Sequence, residues 1–168
     1  NDSLLLEVAK KPPLGWNSFD AWGSRINEKD FRETVDFMAE NLKPHGWEYA
    51  VIDYIWWNPA PGAHNTKENY ERRPGHPNVL LNADGSLKNP AEAPMDKYGR
   101  LQPAVERFPS SANGQGFKPL ADYVHSKGLK FGIHIMRGMH RHAWYLNTPV
   151  LGTDKTARDI AKVNDHAG

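Results

Sequence analysis

The sequence predicts an α/β fold built on a parallel sheet, and three observations carry that expectation. Tyr49-Ala50-Val51-Ile52-Asp53-Tyr54 and the stretch Leu129 to Ile135 are β-rich and nearly continuous in apolarity, the pattern of strands buried on both faces. An amphipathic helical stretch precedes each of them. The resulting series of strand, helix, strand, long loop, helix, strand is βαβαβ, which calls for parallel pairing with right-handed crossovers.

The elements follow in order. Residues 1–11, through Leu4-Leu5-Leu6, read as a lead-in strand or tail, and 12–168 as one domain. After Pro12-Pro13, Leu14-Gly15-Trp16-Asn17 is a short buried strand. Asn27 is a good N-cap, with Asp30 in capping-box position and Glu28 favouring the first turn. Phe31, Val35, Met38 and Leu42 then form an apolar stripe, and Lys43-Pro44-His45-Gly46 stops the helix. Residues 58–116 hold no long periodic segment and are rich in Pro, Gly and Asn, with turn signals at Asp84-Gly85 and Tyr98-Gly99. A loop of that length is functional or disordered, and Val79-Leu80-Leu81 and Gly99-Arg100-Leu101 are expected to pair inside it. A second helix shows Phe117, Leu120, Ala121 and Val124 on one face and closes at Gly128. A weaker last helix has Thr153 as N-cap and Ala157, Ile160 and Ala161 on its apolar side.

Composition narrows the function. The 168 residues are 39% hydrophobic and 24% charged, ordinary for a globular domain. Lys+Arg is 21 against Asp+Glu 20, interspersed, which argues against a nucleic-acid face or a membrane-binding basic helix. No apolar run approaches the roughly 20 residues of a bilayer span, and no signal-peptide pattern opens the chain. With Asn1 rather than Met at its start, the chain is expected to continue upstream or to have lost a segment there. With no cysteine, disulfides and thiolate metal sites are excluded.

Parallel α/β folds place their chemistry at the carboxyl ends of the strands. Those ends carry Trp16-Asn17, Asp53-Tyr54 and His134-Ile135-Met136-Arg137, and the long loop leaves from one of them. Asp53 precedes Trp56-Trp57, and a carboxylate beside indole rings suits sugar hydroxyls while apolar sugar faces pack on the aromatics; the alternative is a carboxylate that caps the next element. His140, His142 and His134 invite a metal reading, but three or four converging ligands are required and no H-E-x-x-H helix exists, so no metal is expected. His134 is instead a polar pocket group or a satisfied core histidine. A nucleophile elbow and a G-x-G-x-x-G cradle are both lacking.

Leu14-Gly15-Trp16-Asn17-Ser18-Phe19, Ile52-Asp53-Tyr54-Ile55-Trp56, Asp96 to Gly99, Arg107-Phe108-Pro109 and the run Leu120 to Ile133 occur in an order and spacing that resembles the melibiase family of glycoside hydrolases, the α-galactosidases and α-N-acetylgalactosaminidases. The resemblance spans roughly residues 12–135. It implies a (β/α)8 barrel, of which about three βα units are present, and a retaining mechanism in which two carboxylates about 5 Å apart flank an oxocarbenium-like transition state. A full barrel takes about 250 residues, so the chain is expected to be part of a longer protein. By family analogy the nucleophilic Asp ends the fourth strand in a Lys-x-Asp setting, and neither Met95-Asp96-Lys97 nor Lys162-Val163-Asn164-Asp165 reads as that motif. The catalytic pair is therefore expected outside the segment.

Substrate-binding residues expected from the resemblance and the strand ends are Trp16, Phe19, Asp53, Tyr54, Trp56, His134 and Arg137. Three depart from the usual pattern: Phe19 stands for a second Trp, Tyr54 for the second of an Asp pair, and His134 for a Tyr. Losing one carboxylate removes charge-assisted bonds to a hydroxyl pair, and His134 with Arg137 makes the pocket more cationic, suiting a substituted or acidic sugar. Two readings follow: part of a retaining α-glycosidase acting on α-galactoside-like glycosides, or a non-catalytic carbohydrate-binding remnant or inactive proteolytic fragment of such a barrel. Expected partners are the sugar and the remainder of the barrel or a partner chain, with no nucleic acid, no membrane and no cofactor. An exported compartment is favoured over the cytoplasm.

Overall fold

The computed structural model describes residues 11–59, 61, 93–136 and 138–162. Three parallel strands lie in the order β1 (Gly15–Asn17), β2 (Tyr49–Ile52) and β3 (Lys130–Ile133), with Gly15 beside Tyr49 and Tyr49 beside Lys130. A Cβ on Gly15 would sit 2.6 Å from Tyr49 Cβ, so only glycine allows this approach of β1 to β2.

A short helix α1 (Phe19–Trp22) follows β1 directly. The main crossover helix α2 (Glu28–Phe37) starts at Asn27, whose side chain accepts from the Asp30 N–H at 3.0 Å and donates to the Asp30 carboxylate at 2.6 Å. It continues as a wider π turn over Met38–Leu42 and a 3-10 turn over Lys43–His45, and ends at Gly46 with φ 91°. Helix α3 (Lys118–Ser126) then leads into β3, and two short helices, α4 (Arg141–Leu146) and α5 (Ala157–Ile160), follow.

Phe31, Val35 and Met38 from the first crossover, Leu120 and Val124 from the second, and Ala50 and Ile52 from β2 are buried in one cluster. Aromatic rings run through it edge to face, Phe31 on Phe131 at 5.9 Å and Phe117 on Phe108 at 5.2 Å. Burial on both strand faces was the sequence expectation. In β2 only Ala50 and Ile52 are fully buried, whereas Tyr49 and Val51 are half-covered, because the helices pack on one face; in a closed barrel the other face is filled by the barrel interior.

One local expectation changes. The last helix begins at Thr156 rather than Thr153, because Asp159 completes a capping box with the Thr156 N–H and hydroxyl, both at 2.8 Å, while the Thr153 hydroxyl bonds Val150 O in a turn. Leu101 pairs antiparallel with Met95 across the Asp96–Gly99 turn. Val79-Leu80-Leu81, its expected partner, lies outside the described residues, as do Asp84-Gly85, Leu4-Leu5-Leu6, Arg137 and Asp165. Helices α1 and α4 were not foreseen, being too short for a periodic signal.

Truncating Phe31 to Ala in the intact protein should cost about 3–5 kcal/mol in urea unfolding, since it opens a cavity in the cluster. Phe37→Ala, on the same helix but 58% exposed, should stay within about 0.5 kcal/mol.

Candidate functional site

Parallel register brings the strand ends to one level. Ile52 pairs with Ile133, so Asp53 and His134, one residue on, stand side by side, and His134 N–H donates to Ile52 O at 2.8 Å. On the other side Ser18 N–H donates to Val51 O at 3.0 Å, and the buried Ser18 hydroxyl accepts from Asp53 N–H at 3.0 Å. Three strands thus deliver Phe19, Asp53, Tyr54 and His134 to a common edge.

These four residues, with Asn17, Asp20 and Met136, line a cavity of about 430 Å³. Asp53 is buried to 7% exposure. Its Oδ1 accepts from Tyr54 N–H at 2.8 Å and its Oδ2 lies 3.1 Å from His134 Nδ1. Tyr54 leans on Phe19 with centroids 5.8 Å apart and on His134 at 6.1 Å, forming an aromatic wall beside the carboxylate. An oriented acceptor against ring faces can hold a polyhydroxylated ring.

The loops behind this edge are tied by Arg107. Its guanidinium donates to Ser24 O and Ile26 O after β1, and to Ile55 O (2.7 Å) and Asn58 O (2.9 Å) after β2. Burial lowers its pKa to about 10, which leaves it charged at neutral pH. Ile55 is held at φ 63°, unfavourable for a β-branched residue, where its carbonyl receives both Arg107 and the Asn58 N–H. The Arg107 carbonyl in turn caps α2 through Glu28 N–H at 2.8 Å. Burial alone would raise the Glu28 pKa, but hydrogen bonds from Ser110 and Arg32 outweigh it and hold the carboxyl below its ordinary range.

Of the residues expected at the site, Phe19, Asp53, Tyr54 and His134 come together. Trp16 does not join them: its ring packs toward the core on Phe31, 6.2 Å between centroids. Trp56 is also displaced, 3% exposed between Trp57 and Phe117, because its indole N–H is spent on His134 O at 3.0 Å. It supports the pocket from below rather than lining it. Arg137 lies outside the described residues. Asp96 is occupied as a turn-former, accepting from Tyr98 and Arg100 N–H and pairing with the Arg100 guanidinium at 2.6 Å. Asn17 and Met136, which the sequence places at strand ends, also line the cavity although neither was among the expected binding residues, and Asp20, three residues past a strand end, was missed. Ser18 was missed as the partner of Asp53; a small hydroxyl residue after a strand carries no distinctive signal.

Among the described residues no three His, Asp or Glu side chains converge as a metal site. His142 Nδ1 accepts from Ala93 N–H and His140 Nδ1 from His142 N–H, so both rings serve the backbone. No helix among the described residues is long and apolar enough to cross a membrane.

A family model described as alpha galactosidase A matches residues 79–164. The chain is 33% identical over 128 residues to an α-galactosidase of Cyamopsis tetragonoloba and 33% over 129 residues to an α-galactosidase A of Cellvibrio japonicus. Each alignment covers 76% of this chain and 22% of the relative, so the chain spans about a fifth of the length of these proteins. The crystal structure of a glycoside hydrolase family 27 β-L-arabinopyranosidase from Geobacillus stearothermophilus superposes with TM-score 0.75 and 46% identity, over 94% of this chain and 32% of that one. A variant of that enzyme was solved in complex with arabinose.

Replacing Arg107 by Met strands buried carbonyls on two loops and should destabilise the intact protein by about 3 kcal/mol or more in urea unfolding. Glu28→Gln tests the depressed carboxyl. Because its folded pKa lies below the unfolded value, the native state binds fewer protons, and the stabilisation is present above the ordinary carboxyl pKa near 4.5 and lost as pH falls through the folded value. The variant should therefore be less stable at pH 7 and converge on the parent in acid melts.

Proposed function

The chain belongs to the alpha-galactosidase A, or melibiase, family of glycoside hydrolases, and from that membership we propose that it forms the N-terminal part of the catalytic barrel of a retaining glycosidase acting on α-galactoside-like glycosides. The observation that carries this reading is the oriented Asp53 carboxylate at the end of β2, set against the Phe19, Tyr54 and His134 rings. Asp53 accepts hydrogen bonds from sugar hydroxyls, and the aromatic wall takes the apolar face of the ring. Asp53 binds rather than cleaves. The nucleophile and the acid/base are carboxylates of later strands, and the rest of the barrel closes the pocket.

A second reading concerns the sugar. L-Arabinopyranose repeats the ring-hydroxyl configuration of D-galactopyranose and lacks its exocyclic hydroxymethyl group. Tyr54 puts a ring where a second carboxylate is usual, and Met136 adds another apolar group to the lining. Fewer charged acceptors suit a sugar with fewer hydroxyls, which supports a β-L-arabinopyranoside as substrate.

The test is the full-length protein against the 4-nitrophenyl glycosides of α-D-galactopyranose and β-L-arabinopyranose. One of the two should be hydrolysed with retention. Asp53→Ala should lower kcat/KM on it by roughly 10- to 150-fold, the equivalent of about 1.5–3 kcal/mol for bonds to a charged acceptor. Sugar binding without turnover of either glycoside by the intact protein would replace the hydrolase reading with a non-catalytic binding one.

A further inference from the structure

Asp53 is followed by Tyr54 where an aspartate pair is usual, so what orients its own carboxylate matters more. Backbone supplies one restraint, the Tyr54 N–H on Oδ1 at 2.8 Å. The other is a side chain from the neighbouring strand, His134, whose Nδ1 lies 3.1 Å from Oδ2. His134 is itself fixed through its backbone: its N–H is bound to Ile52 O at 2.8 Å, and its carbonyl receives the Trp56 indole at 3.0 Å. Its ring lies tilted at 52° to that of Tyr54, centroids 6.1 Å apart, and its side chain is 49% exposed on the cavity wall. The clamp is therefore built from both strand ends and opens to the cavity.

A carboxylate only accepts, so the contact requires a hydrogen on Nδ1. In a neutral imidazole the hydrogen bond made by one nitrogen fixes the state of the other, and with Nδ1 protonated Nε2 carries a lone pair. We propose that His134 is a positioning residue that locks the Asp53 carboxylate in one orientation and, being held in the Nδ1–H tautomer by it, offers Nε2 to the pocket as an acceptor for a second sugar hydroxyl. The substrate class is then a pyranose with two neighbouring hydroxyl donors, one for Asp53 and one for His134. This inference rests on the glycosidase reading for its substrate but not for its geometry.

Two measurements on the full-length protein test it. Nitrogen-15 NMR of histidine-labelled protein at neutral pH should find His134 as the Nδ1–H tautomer, and Asp53→Ala should release it to the Nε2–H form that free imidazoles favour. In kinetics on the glycoside hydrolysed by the parent protein, His134→Ala should lower kcat/KM about tenfold, mostly through KM, and His134→Asn, whose amide can donate to Asp53, should recover part of that loss. In the Asp53→Ala background His134→Ala should cost less than about twofold, because its target is gone. An Nε2–H tautomer or a doubly protonated ring in the parent protein, neither of which offers Nε2 as an acceptor, or equal losses in both backgrounds, overturns the proposal. If no glycoside is turned over, the hydrolase reading fails by itself, and the tautomer still decides whether the clamp exists.

Discussion

Arg107 lies with its guanidinium enclosed by backbone carbonyls of Ser24, Ile26, Ile55 and Asn58, and no carboxylate shares it among the described bonds. A buried cation is tolerated only when its donors are met, and here carbonyls meet them while the cation stays charged. The consequence is architectural. Among the described residues the segments after β1 and β2 share no ladder beyond Asn17 and Val51, yet their loops must stay in one relative position for Phe19 and Tyr54 to form a wall. Arg107 supplies that tie, and it also fixes Ile55 in a left-handed conformation that turns the chain sharply after Tyr54.

From this frame the rest follows in sequence. Gly15 lets β1 approach β2, the register aligns Ser18, Asp53 and His134 at one edge, and the Ser18 hydroxyl and Trp56 indole hold the backbone of the other two. The backbone of Asp53 and of His134 is thus held from behind by Ser18 and Trp56, which do not line the cavity, while Tyr54 N–H and His134 Nδ1 orient the carboxylate itself. That leaves the Asp53 oxygens and the aromatic faces turned toward the cavity, as expected of a rigid site on strand ends rather than on a mobile loop.

Much of this was legible in the residues. The strands, the capped helix from Asn27 and the stop at Gly46 have strong local signals, because apolar spacing and caps are short-range properties. Asp53 stood out as a carboxylate at the end of a buried strand. Trp16 and Trp56 were misplaced for a common reason: an aromatic next to a strand end can point either way, and only the tertiary contacts with Phe31, Phe117 and His134 O decide. Thr156 has an acidic residue three positions on, Asp159, and Thr153 does not, so the capping-box spacing that starts the last helix was legible and was passed over. Arg107 belonged to a recognised motif, but its carbonyl partners lie about 50 and 80 residues away and cannot be read from spacing.

On the proposed function, the edge built by Ser18, Asp53, Tyr54 and His134 is where a pyranose binds. A crystal structure of the full-length protein with a galactose or arabinose ring bound tests it most directly. A ring hydroxyl is expected within hydrogen-bond distance of an Asp53 oxygen, with Phe19 and Tyr54 against the sugar. A sugar bound elsewhere in the barrel, with the Asp53–His134 pair facing only water, would contradict it.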